Sequence, residues 1–540
     1  VLHASPALQH QTSLMLWNVI IIHMSDNQRP RHVPGSVRHA EKRRPSTCRF
    51  ADAIATVSVD AYRACVSESF RERQKQTCMA TIVAHFASDG HLQVMGLGVG
   101  TKFLTESILR EEERGDGRVG RSLEGVSEYG SRVRDCHAEV LARRAFRRQI
   151  SLEMKMLQDD KLVEQPNLES MYRPILRLGA DSSFKLVDGV TLHFYSSSAP
   201  CGNAVLKKFA KMEKETFNGD LGVNEWPMTK HEPVQAHSIR LGQLSLLVKK
   251  DSTAEKVITN MNTEAKGKVW PANQNDDWCP PGTSIVAFRQ GSLHSCSDKV
   301  CRWNCLGLQG SLLASVLEIP LYMSSITVGR KLTGCICRRA LCCRADGFGQ
   351  VRKRKHSSRD GSDNSSAPSS KYSLQHPAVM GTGVYMDDTG TIDMSNAHER
   401  DQDVRFDCSL AWVWWPLIGC DRRSVAGETS VDAECIDCHT GFACDYDEKQ
   451  QHETEKGSKR KSNVSLVSSS SLVQLFALLM HKKCDGVAAS IPTTLKQLRA
   501  LKRNVSQEYE AAKDNLLSKH RVFRQWRRRE YELSQEIKEI

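Results

Sequence analysis

The sequence lacks an apolar run long enough to cross a bilayer. Leu14–Ile22 is the only apolar run near its start, and it is shorter than the ~20 residues that a membrane-spanning helix needs. No clear small-residue cleavage site follows this run, so there is no clear secretion signal either. These absences argue against a membrane or secreted protein, and we expect an intracellular one, in the nucleus, the cytoplasm or both.

A disulfide framework and internal repeats are lacking as well. The 19 cysteines are an odd number in a chain of 540 residues, which is unlike the frameworks of small secreted domains, so we expect mostly reduced thiols. What the chain does have is a hydrophobic fraction of 40%, enough for a core. Its net charge of +12 favours a polyanionic partner such as RNA.

Composition divides the chain into one folded domain and several polar stretches. Residues 1–50 are basic and rich in polar and turn residues, and we expect them to be variable and disordered. The domain then extends over 51–535. Within it, 351–371 and 421–470 have the polar, Ser-rich composition that is typical of inserted, solvated loops without a core.

Hydrophobic periodicity predicts strands that alternate with helices, which favours an α/β sheet. Ser88-Asp89-Gly90, between two apolar runs, indicates a β-hairpin. The predicted strands cover 79–86, 91–100, 190–195 and 284–288. The predicted helices cover 51–66, 137–157, 203–215, 294–316, 472–480 and 493–517.

Three dispersed residues are candidates for one metal site. His137 opens a predicted helix, and Cys201 and Cys296 each lie between a predicted strand and a predicted helix. Helix N-termini favour thiolate over thiol, because free N–H groups and the helix dipole stabilise negative charge. One imidazole and two thiolates fit Zn²⁺ and leave a fourth position for water, which is an open, catalytic arrangement.

Glu139 lies two residues after His137 and is the candidate proton shuttle. In a first helical turn its carboxylate would point near a metal without necessarily ligating it, and it could accept and later donate a proton. Zinc nucleobase deaminases combine such an H-x-E with two cysteines two residues apart. No cysteine follows Cys201 at that spacing, so Cys296 is the candidate second thiolate. Each piece alone could be structural, since a cysteine at a helix start is commonly a small buried residue.

Three segments carry a resemblance to a known family. They are "DCHAEVLARRAF" (135–146), "SAPCGNA" (198–204) and "SCSDKVCRWNCLGLQGSLL" (295–313). They resemble the adenosine-to-inosine RNA-editing deaminases, which comprise the eukaryotic tRNA-specific and the double-stranded-RNA adenosine deaminases. The resemblance implies a cytidine-deaminase-like fold, in which a central sheet lies between helices and a C-terminal helical part encloses a buried polyanion.

The same resemblance implies a zinc-dependent, hydrolytic reaction. His137, Cys201 and Cys296 match the family's zinc ligands, and Glu139 matches its proton shuttle. The reaction acts at C6 of a flipped-out adenine, releases ammonia and leaves inosine. Zinc is therefore an expected cofactor of this chain.

The tRNA-specific branch of the family fits the chain better than the other branch. Double-stranded-RNA editors usually add separate RNA-binding domains, and residues 1–50 are too short for one. The implied partner is tRNA, at the adenosine in position 37 of alanine tRNA, with Thr101 and Lys102 near its ribose and phosphate. Two alternatives stay open: editing of double-stranded RNA, mRNA or other structured RNA, and a catalytically silent RNA-binding relative.

The resemblance further implies a buried inositol hexakisphosphate. Cations on apolar helix faces support it independently, since Lys502 and Lys513 share the face marked by Leu498 and Tyr509. A cation in an apolar core is costly unless paired, so several of them with few acidic partners suggest a buried polyanion. The alternative is that these cations extend to the surface. By position in the family motifs, the matching residues are Val140, Arg143, Arg144, Lys299, Arg302, Trp303, Ser311, Tyr509, Lys513 and Trp526.

Several features depart from the family pattern, including Gln76 where Trp is usual and Cys301 where Ala is usual. Asn203 stands where the family has Asp, and the loop before the third segment is shortened to 288–294. None of these changes touches a candidate zinc ligand or Glu139. They bear on substrate choice and RNA binding more than on chemistry.

Other cysteine and glycine patterns suggest alternative ligands. Cys435, Cys438 and His439 match a haem attachment or a small zinc knuckle; their acidic surroundings argue against haem, and a second metal stays open. The glycine run that begins at Gly96 lacks the following helix of a dinucleotide fingerprint, so no dinucleotide is expected either. Without a regular ligand spacing, a further group is interpreted as core or surface thiols: Cys335, Cys337, Cys342 and Cys343.

Overall fold

A computed structural model describes most of the folded part of the chain. The described residues are 48–73, 77–102, 104, 130–159, 172–202, 204, 236–239, 244–247, 295–345, 347–349, 370–385, 410–416, 433–444, 462–481 and 495–519. Of the predicted helix over 203–215 only residue 204 is among them, and the predicted strand over 284–288 lies entirely outside them. Trp526 and Asn203 also lie outside the described residues, so their expected roles stay predictions.

The described residues form the following helices and strands. In chain order they are α1 (Arg49–Cys65), α2 (Glu68–Arg73), β1 (Met79–Phe86), β2 (Leu92–Val99), α3 (Ala138–Gln158), β3 (Leu176–Leu178), β4 (Phe184–Leu186), β5 (Val190–Ser198), β6 (Ala236–Ile239), β7 (Leu244–Leu247), α4 (Cys296–Leu306), α5 (Gly310–Ala314), β8 (Met323–Arg330), α6 (Gly334–Leu341), β9 (Ala378–Gly381), β10 (Leu410–Trp414), β11 (Ala433–Asp437), β12 (Ala443–Cys444), β13 (Ser462–Asn463), α7 (Ser469–His481), α8 (Leu495–Val505) and α9 (Gln507–Asp514). A π-helical turn over Asn515–Lys519 follows α9.

One mixed sheet organises the domain, which confirms the α/β prediction. Its strand order is β13-β12-β11-β10-β2-β1-β5-β8-β9. The predicted hairpin is present as the antiparallel pair β1–β2, and β5–β8–β9 are parallel. Because β2 and β5 both run antiparallel to β1 between them, their carboxyl ends lie at the same edge of the sheet. Ligand sites of open α/β sheets commonly lie outside such strand ends.

Alternating residues of β1 face two separate helical layers. Ile82 packs in a core that includes Leu141 of α3, whereas Val83 packs in a core that includes Ile54 of α1. Strand side chains alternate between the two faces of a sheet, so this one strand anchors both layers. The sheet is therefore covered on both faces at its centre.

Helix α3 lies in direct contact with the backbone of β2, because β2 carries glycines there. A Cβ atom on Gly98 would be 2.4 Å from the Ala138 carbonyl oxygen and 2.5 Å from the Ala142 nitrogen. A Cβ atom on Gly96 would be 2.6 Å from the Phe146 nitrogen. The glycine run is thus part of strand β2, and at Gly96 and Gly98 the backbone of α3 lies too close for any larger residue.

Two predicted long helices are each divided in the structure. The predicted helix over 294–316 ends at Leu306, because Gly307 adopts φ +81° and its N–H returns to the Trp303 carbonyl. Such a residue is a common helix stop. The predicted helix over 493–517 breaks at Ser506, which has φ −146° and ψ 62°. Both predictions of a single helix are therefore wrong.

The structure also differs from the solvated loop that was predicted over 421–470. Within this range, Ala433–Asp437, Ala443–Cys444 and Ser462–Asn463 are strands of the central sheet. Ile436 is completely buried in the main core. A polar, Ser-rich composition concealed these strands, since they are only two to five residues long. Whether the ranges 351–371 and 421–470 are insertions stays a prediction.

Membrane-spanning helices are missing from the part of the chain that the structure describes. None of its helices combines the length and the apolar character that crossing a bilayer requires.

Candidate active site

His137 is held at the start of α3 by a neighbouring carboxylate. The helix begins at Ala138 with His137 as its N-cap, and Asp135 Oδ1 accepts a hydrogen bond from the His137 backbone N–H at 2.9 Å. The same oxygen lies 2.9 Å from His137 Nδ1. Lys299 of α4 contacts the other oxygen of Asp135. The contact with Asp135 Oδ1 occupies His137 Nδ1, which leaves Nε2 as the available ligand atom.

The charges around Asp135 keep it ionised. Burial opposes its ionisation, but Lys299 and His137 outweigh burial and hold the pKa of the Asp135 carboxyl well below its ordinary value. The pKa of Lys299 is raised despite burial, because it faces this carboxylate. Lys299 was expected among inositol-phosphate ligands by resemblance; in the structure it is paired with Asp135.

Cys201 and Cys296 are brought together by the chain crossing just after β5. Gly202 adopts φ +92°, and a Cβ atom on it would lie 2.3 Å from Ser295 Oγ. Glycine at this position lets the chain pass against the start of α4. The Cys296 backbone N–H donates to Cys201 Sγ at 3.3 Å, and the Ser297 N–H donates to the Cys201 carbonyl at 3.0 Å.

A capping box sets the start of α4. Ser295 Oγ accepts from the Asp298 N–H at 3.2 Å, and Asp298 Oδ2 accepts from the Ser295 N–H at 3.1 Å. Arg344 Nη2 lies 2.6 Å from Asp298 Oδ1, and both side chains are buried. Sequence reasoning missed Arg344, because nothing in the pattern around it indicates a distant carboxylate. These contacts fix Cys296 as the first residue of the helix.

The three candidate ligand atoms converge. One ring nitrogen of His137 and the sulfurs of Cys201 and Cys296 all lie within 4.8 Å of one another. A hydrogen bond from Cys296 is the main cause that lowers the pKa of Cys201, whereas burial is the main cause that raises the pKa of Cys296. The pair therefore favours one thiolate and one thiol, and a dication would favour loss of the second proton. A nitrogen and two sulfurs from three elements fit Zn²⁺ with one position left over.

Glu139 is buried in the first turn of α3, beside this cluster. It is 5% exposed, and burial raises the pKa of its carboxyl, with the negative charge of Cys201 as the second cause. A raised carboxyl pKa brings its protonation closer to neutral pH. The carboxyl can then both accept and return a proton.

Thr101 and Lys102 border the same site. They follow Gly100, the first residue after β2. The Lys102 carbonyl accepts from the Cys136 N–H at 2.8 Å, and the Gly100 carbonyl accepts from the Ala138 N–H at 3.0 Å. Thr101 is buried and Lys102 is partly buried. This backbone pairing places both residues beside the turn that carries His137. Their contact with a substrate stays a prediction.

A second feature, behind α3, is a cluster of partly buried cations. Arg143 stacks on Trp303 of α4 at 5.1 Å from the ring centroid. Charges on Arg147, Tyr509 and Arg302 also act on Arg143, which places these groups around it. Arg147 was missed by sequence reasoning, although its position four residues after Arg143 puts it on the same helix face. We call Arg143, Arg147, Arg302 and Lys502 the cation cluster.

The cation cluster carries more positive charge and more donors than its described neighbours satisfy. Burial, reinforced by neighbouring cations, lowers the pKa of Arg143 to about 9 and of Lys502 to about 7. Several buried polar atoms have no hydrogen-bond partner among the described residues: Arg143 Nε, Arg147 Nε, Trp303 Nε1 and Ser311 Oγ. Like charges that depress one another's pKa, with orphaned donors, fit a bound polyanion.

Two other residues expected around that polyanion, Arg144 and Lys513, have protein partners. Arg144 donates to the Val467 carbonyl at 2.6 Å and to Ser469 Oγ at 3.4 Å, which ties α3 to the start of α7. Lys513 donates to Glu510 at 2.8 Å. Val140 is partly buried on α3, and Ser311 and Tyr509 are buried.

The Cys435–Cys438–His439 segment is dispersed over a strand and the turn after it. Cys435 lies on β11 and is buried, as is Cys438, whereas His439 is exposed. Among the described residues these three do not form a group of converging metal ligands.

Comparisons with known proteins place these residues in a family. The profile of the adenosine-deaminase (editase) domain matches residues 115–398. The double-stranded RNA-specific editase Adar of Drosophila melanogaster is 29% identical over 227 residues, which is 42% of this chain and 28% of that protein. The double-stranded RNA-specific adenosine deaminase of Mus musculus is 28% identical over 262 residues, 47% of this chain and 19% of that protein.

A second group of relatives has a different named substrate. The tRNA-specific adenosine deaminase 1 of Mus musculus is 24% identical over 298 residues, 44% of this chain and 54% of that protein. The match therefore spans between about a fifth and about half of these relatives' lengths. The identities of the two groups are similar and do not separate the two substrates.

Proposed function

The chain belongs to the adenosine-deaminase (editase) domain family, and on that premise we propose that it is a zinc-dependent, hydrolytic adenosine deaminase acting on RNA. The observation that carries the proposal is the convergence of His137, Cys201 and Cys296 within 4.8 Å, with Glu139 buried alongside. An inactive RNA-binding relative would have no need to keep a buried carboxyl of raised pKa beside two thiols.

Three residues of the chain would hold the metal, and each is oriented by a second contact. Asp135 orients the His137 ring, the Cys296 N–H orients the Cys201 sulfur, and the capping box orients Cys296. Zn²⁺ bound there supplies Lewis acidity, which makes water a nucleophile at neutral pH. The contacts around the ligands keep that chemistry in one geometry.

Glu139 would move the proton between water and the leaving group. Its carboxylate accepts a proton as water attacks C6 of adenine, and it returns the proton to the departing amino group, so that ammonia leaves and inosine remains. Burial disfavours the charged carboxylate and so makes this return easier. Thr101 and Lys102 would contact the ribose and the phosphate of the flipped-out nucleotide.

We propose tRNA as the substrate, at the adenosine in position 37 of alanine tRNA. Support comes from the relatives named as tRNA-specific adenosine deaminases and from the net charge of +12, which favours a polyanionic partner. Extruding an adenosine from a loop also costs less than extruding it from a duplex. Double-stranded RNA is the second candidate, favoured by the relatives that are named for it.

The cation cluster supports a further part of the proposal, a buried inositol hexakisphosphate. Its phosphates would satisfy the orphaned donors of Arg143, Arg147 and Ser311 and would neutralise Lys502. The ligand would lie where α3, α4, α8 and α9 approach one another. It would therefore act as a structural cofactor, separate from the zinc site.

The test compares inosine formation in alanine tRNA and in a long RNA duplex. Wild type should edit the tRNA, and Glu139→Gln should lose ~10²–10⁴-fold in rate while it keeps its zinc, because only the proton shuttle is removed. Editing of the duplex but not of the tRNA would overturn the choice of substrate. RNA binding by the wild type without any inosine would instead identify a silent relative.

A further inference from the structure

A second group of thiols meets an imidazole at the end of α6. Cys342 follows the last residue of this helix, Cys343 comes next, and His376 lies on the segment that leads into β9. Cys342 Sγ and Cys343 Sγ are 3.5 Å apart, and Cys343 Sγ is 3.8 Å from His376 Nδ1. The three ligand atoms all lie within 4.8 Å of one another. Cys342 is buried, whereas Cys343 and His376 are exposed.

Two of the three separations are close to the edges of a zinc coordination tetrahedron. With Zn–S near 2.3 Å and Zn–N near 2.0–2.1 Å, two sulfurs on one ion are about 3.8 Å apart, and a sulfur and a nitrogen about 3.6 Å. The separations of 3.5 Å and 3.8 Å between the atoms of Cys342, Cys343 and His376 differ little from these values. The third separation, between Cys342 Sγ and a His376 ring nitrogen, is at most 4.8 Å, so only a small side-chain adjustment would close the site around an ion.

One residue of α4 holds both ligand-bearing segments in place. Asn304 Nδ2 donates to the Leu341 carbonyl at 2.9 Å, and the Asn304 carbonyl accepts from the Gln375 N–H at 2.8 Å. Leu341 precedes the two cysteines, and Gln375 precedes His376. The ligands are thus preorganised by the fold, which lowers the entropic cost of binding an ion.

We propose that Cys342, Cys343 and His376 bind a second Zn²⁺, with solvent as the fourth ligand. The site shares no residue with the His137 cluster, and it stands or falls independently of the proposed deaminase activity. The bound ion would tie β9, at the edge of the sheet, to the end of α6. Because two of its ligands are exposed, it would release zinc to a chelator sooner than the buried His137 cluster.

The experiment counts zinc per chain in the full-length protein purified with reducing agent. Cys343→Ser and His376→Ala should each lose one zinc equivalent relative to wild type. Each should also lose the fast phase of zinc release to a colorimetric chelator, while inosine formation stays within about twofold. Matched controls are Cys48→Ser, an exposed thiol, and His439→Ala, an exposed imidazole, which should both keep the wild-type zinc content.

Three outcomes would overturn the proposal. The first is an unchanged zinc content in both Cys343→Ser and His376→Ala. The second is loss of the same zinc in His439→Ala, which would assign it to the Cys435–Cys438–His439 segment. The third is a Cys342–Cys343 disulfide in the reduced, freshly purified protein, seen as two missing free thiols. Circular dichroism of each variant verifies folding, and two exposed ligands give two independent variants.

Discussion

Arg344 and Asp298 form a buried ion pair that joins the segment after α6 to the start of α4. Arg344 Nη2 lies 2.6 Å from Asp298 Oδ1, and the two side chains are 6% and 0% exposed. The other oxygen of Asp298 accepts from the Ser295 N–H and from Ser295 Oγ, at 3.1 Å and 2.7 Å. The carboxylate is thus shared between a distant cation and the cap that precedes Cys296, so the ion pair supports the candidate metal site.

Arg344→Met should therefore destabilise the chain and weaken the metal site together. Removing one partner leaves a buried carboxylate uncompensated, which typically lowers the free energy of unfolding by about 3–5 kcal/mol. Urea denaturation measures this loss, and zinc analysis measures the site. The matched control is Arg177→Met, which breaks an exposed pair with Asp188 and should cost at most about 1 kcal/mol. Equal effects of the two variants would refute a special role of the buried pair.

Gly98→Ala should displace α3 and with it His137. The added Cβ would lie 2.4–2.5 Å from backbone atoms of Ala138 and Ala142, which cannot rotate away. Overpacking of this kind costs about 1–3 kcal/mol of unfolding free energy, and the shift of the helix start should lower the rate of inosine formation. Gly334→Ala is the control, since Gly334 begins α6 with open space around it and no positive φ. A Gly98→Ala protein with wild-type stability would show that the contact yields easily.

Glu153 should make stability depend on pH. It accepts hydrogen bonds from the Ile175 and Leu176 N–H groups and from the Tyr172 hydroxyl, yet burial raises its pKa to about 7 from 4.5. Between these values the folded state binds more protons than the unfolded state, so the free energy of unfolding falls as pH rises from about 4.5 to 7.

Glu153→Gln removes this titration. The fall, on the order of 3 kcal/mol for a shift of this size, should be absent from the variant. Urea denaturation at several pH values gives both curves, and the wild type minus the variant isolates Glu153 from other groups. A difference that stays constant from pH 4.5 to 7 would contradict the raised pKa.

The sequence predicts much of the site because its residues lie at the ends of regular elements. His137 and Cys296 stand at helix starts, which capping residues and periodicity reveal, and Cys201 follows a strand. That these residues lie close together in space was a separate inference. Cys201 and Cys296 are 95 positions apart in the sequence, and local patterns do not show which distant segments pack together. The resemblance of three segments to one family supplied it.

Other features had no local signal. The ion pair of Arg344 and the approach of His376 to Cys343 depend on how distant segments pack, and the sequence shows only an arginine, a histidine and irregularly spaced cysteines. The break between α8 and α9 at Ser506 likewise has no local signal, because no glycine or proline lies there. Gly307 did carry a stop signal, and its apolar surroundings led to the prediction of an unbroken helix.

Lys502→Met should have opposite effects in the presence and absence of a polyanion. Without an anion, Lys502 is a partly buried cation whose pKa is lowered to about 7, first by burial and then by the charges of Lys513 and Arg147. Replacing it should then leave the free energy of unfolding unchanged or raise it. With inositol hexakisphosphate bound, Lys502 would donate to a phosphate, and its loss should weaken binding by about 1.5–3 kcal/mol, roughly 10- to 150-fold in Kd.

The measurement is phosphate per chain in purified protein, together with the melting temperature at increasing inositol hexakisphosphate. Wild type should carry the ligand through purification, whereas Lys502→Met should lose part of it and regain thermal stability only at higher added ligand. Arg503→Met, at the exposed neighbouring position of α8, should match wild type in both respects. The proposal would be refuted if the wild-type protein is folded, contains no phosphate and keeps the same melting temperature when inositol hexakisphosphate is added. The side chains of the cation cluster would then be solvated by water and would bind no polyanion.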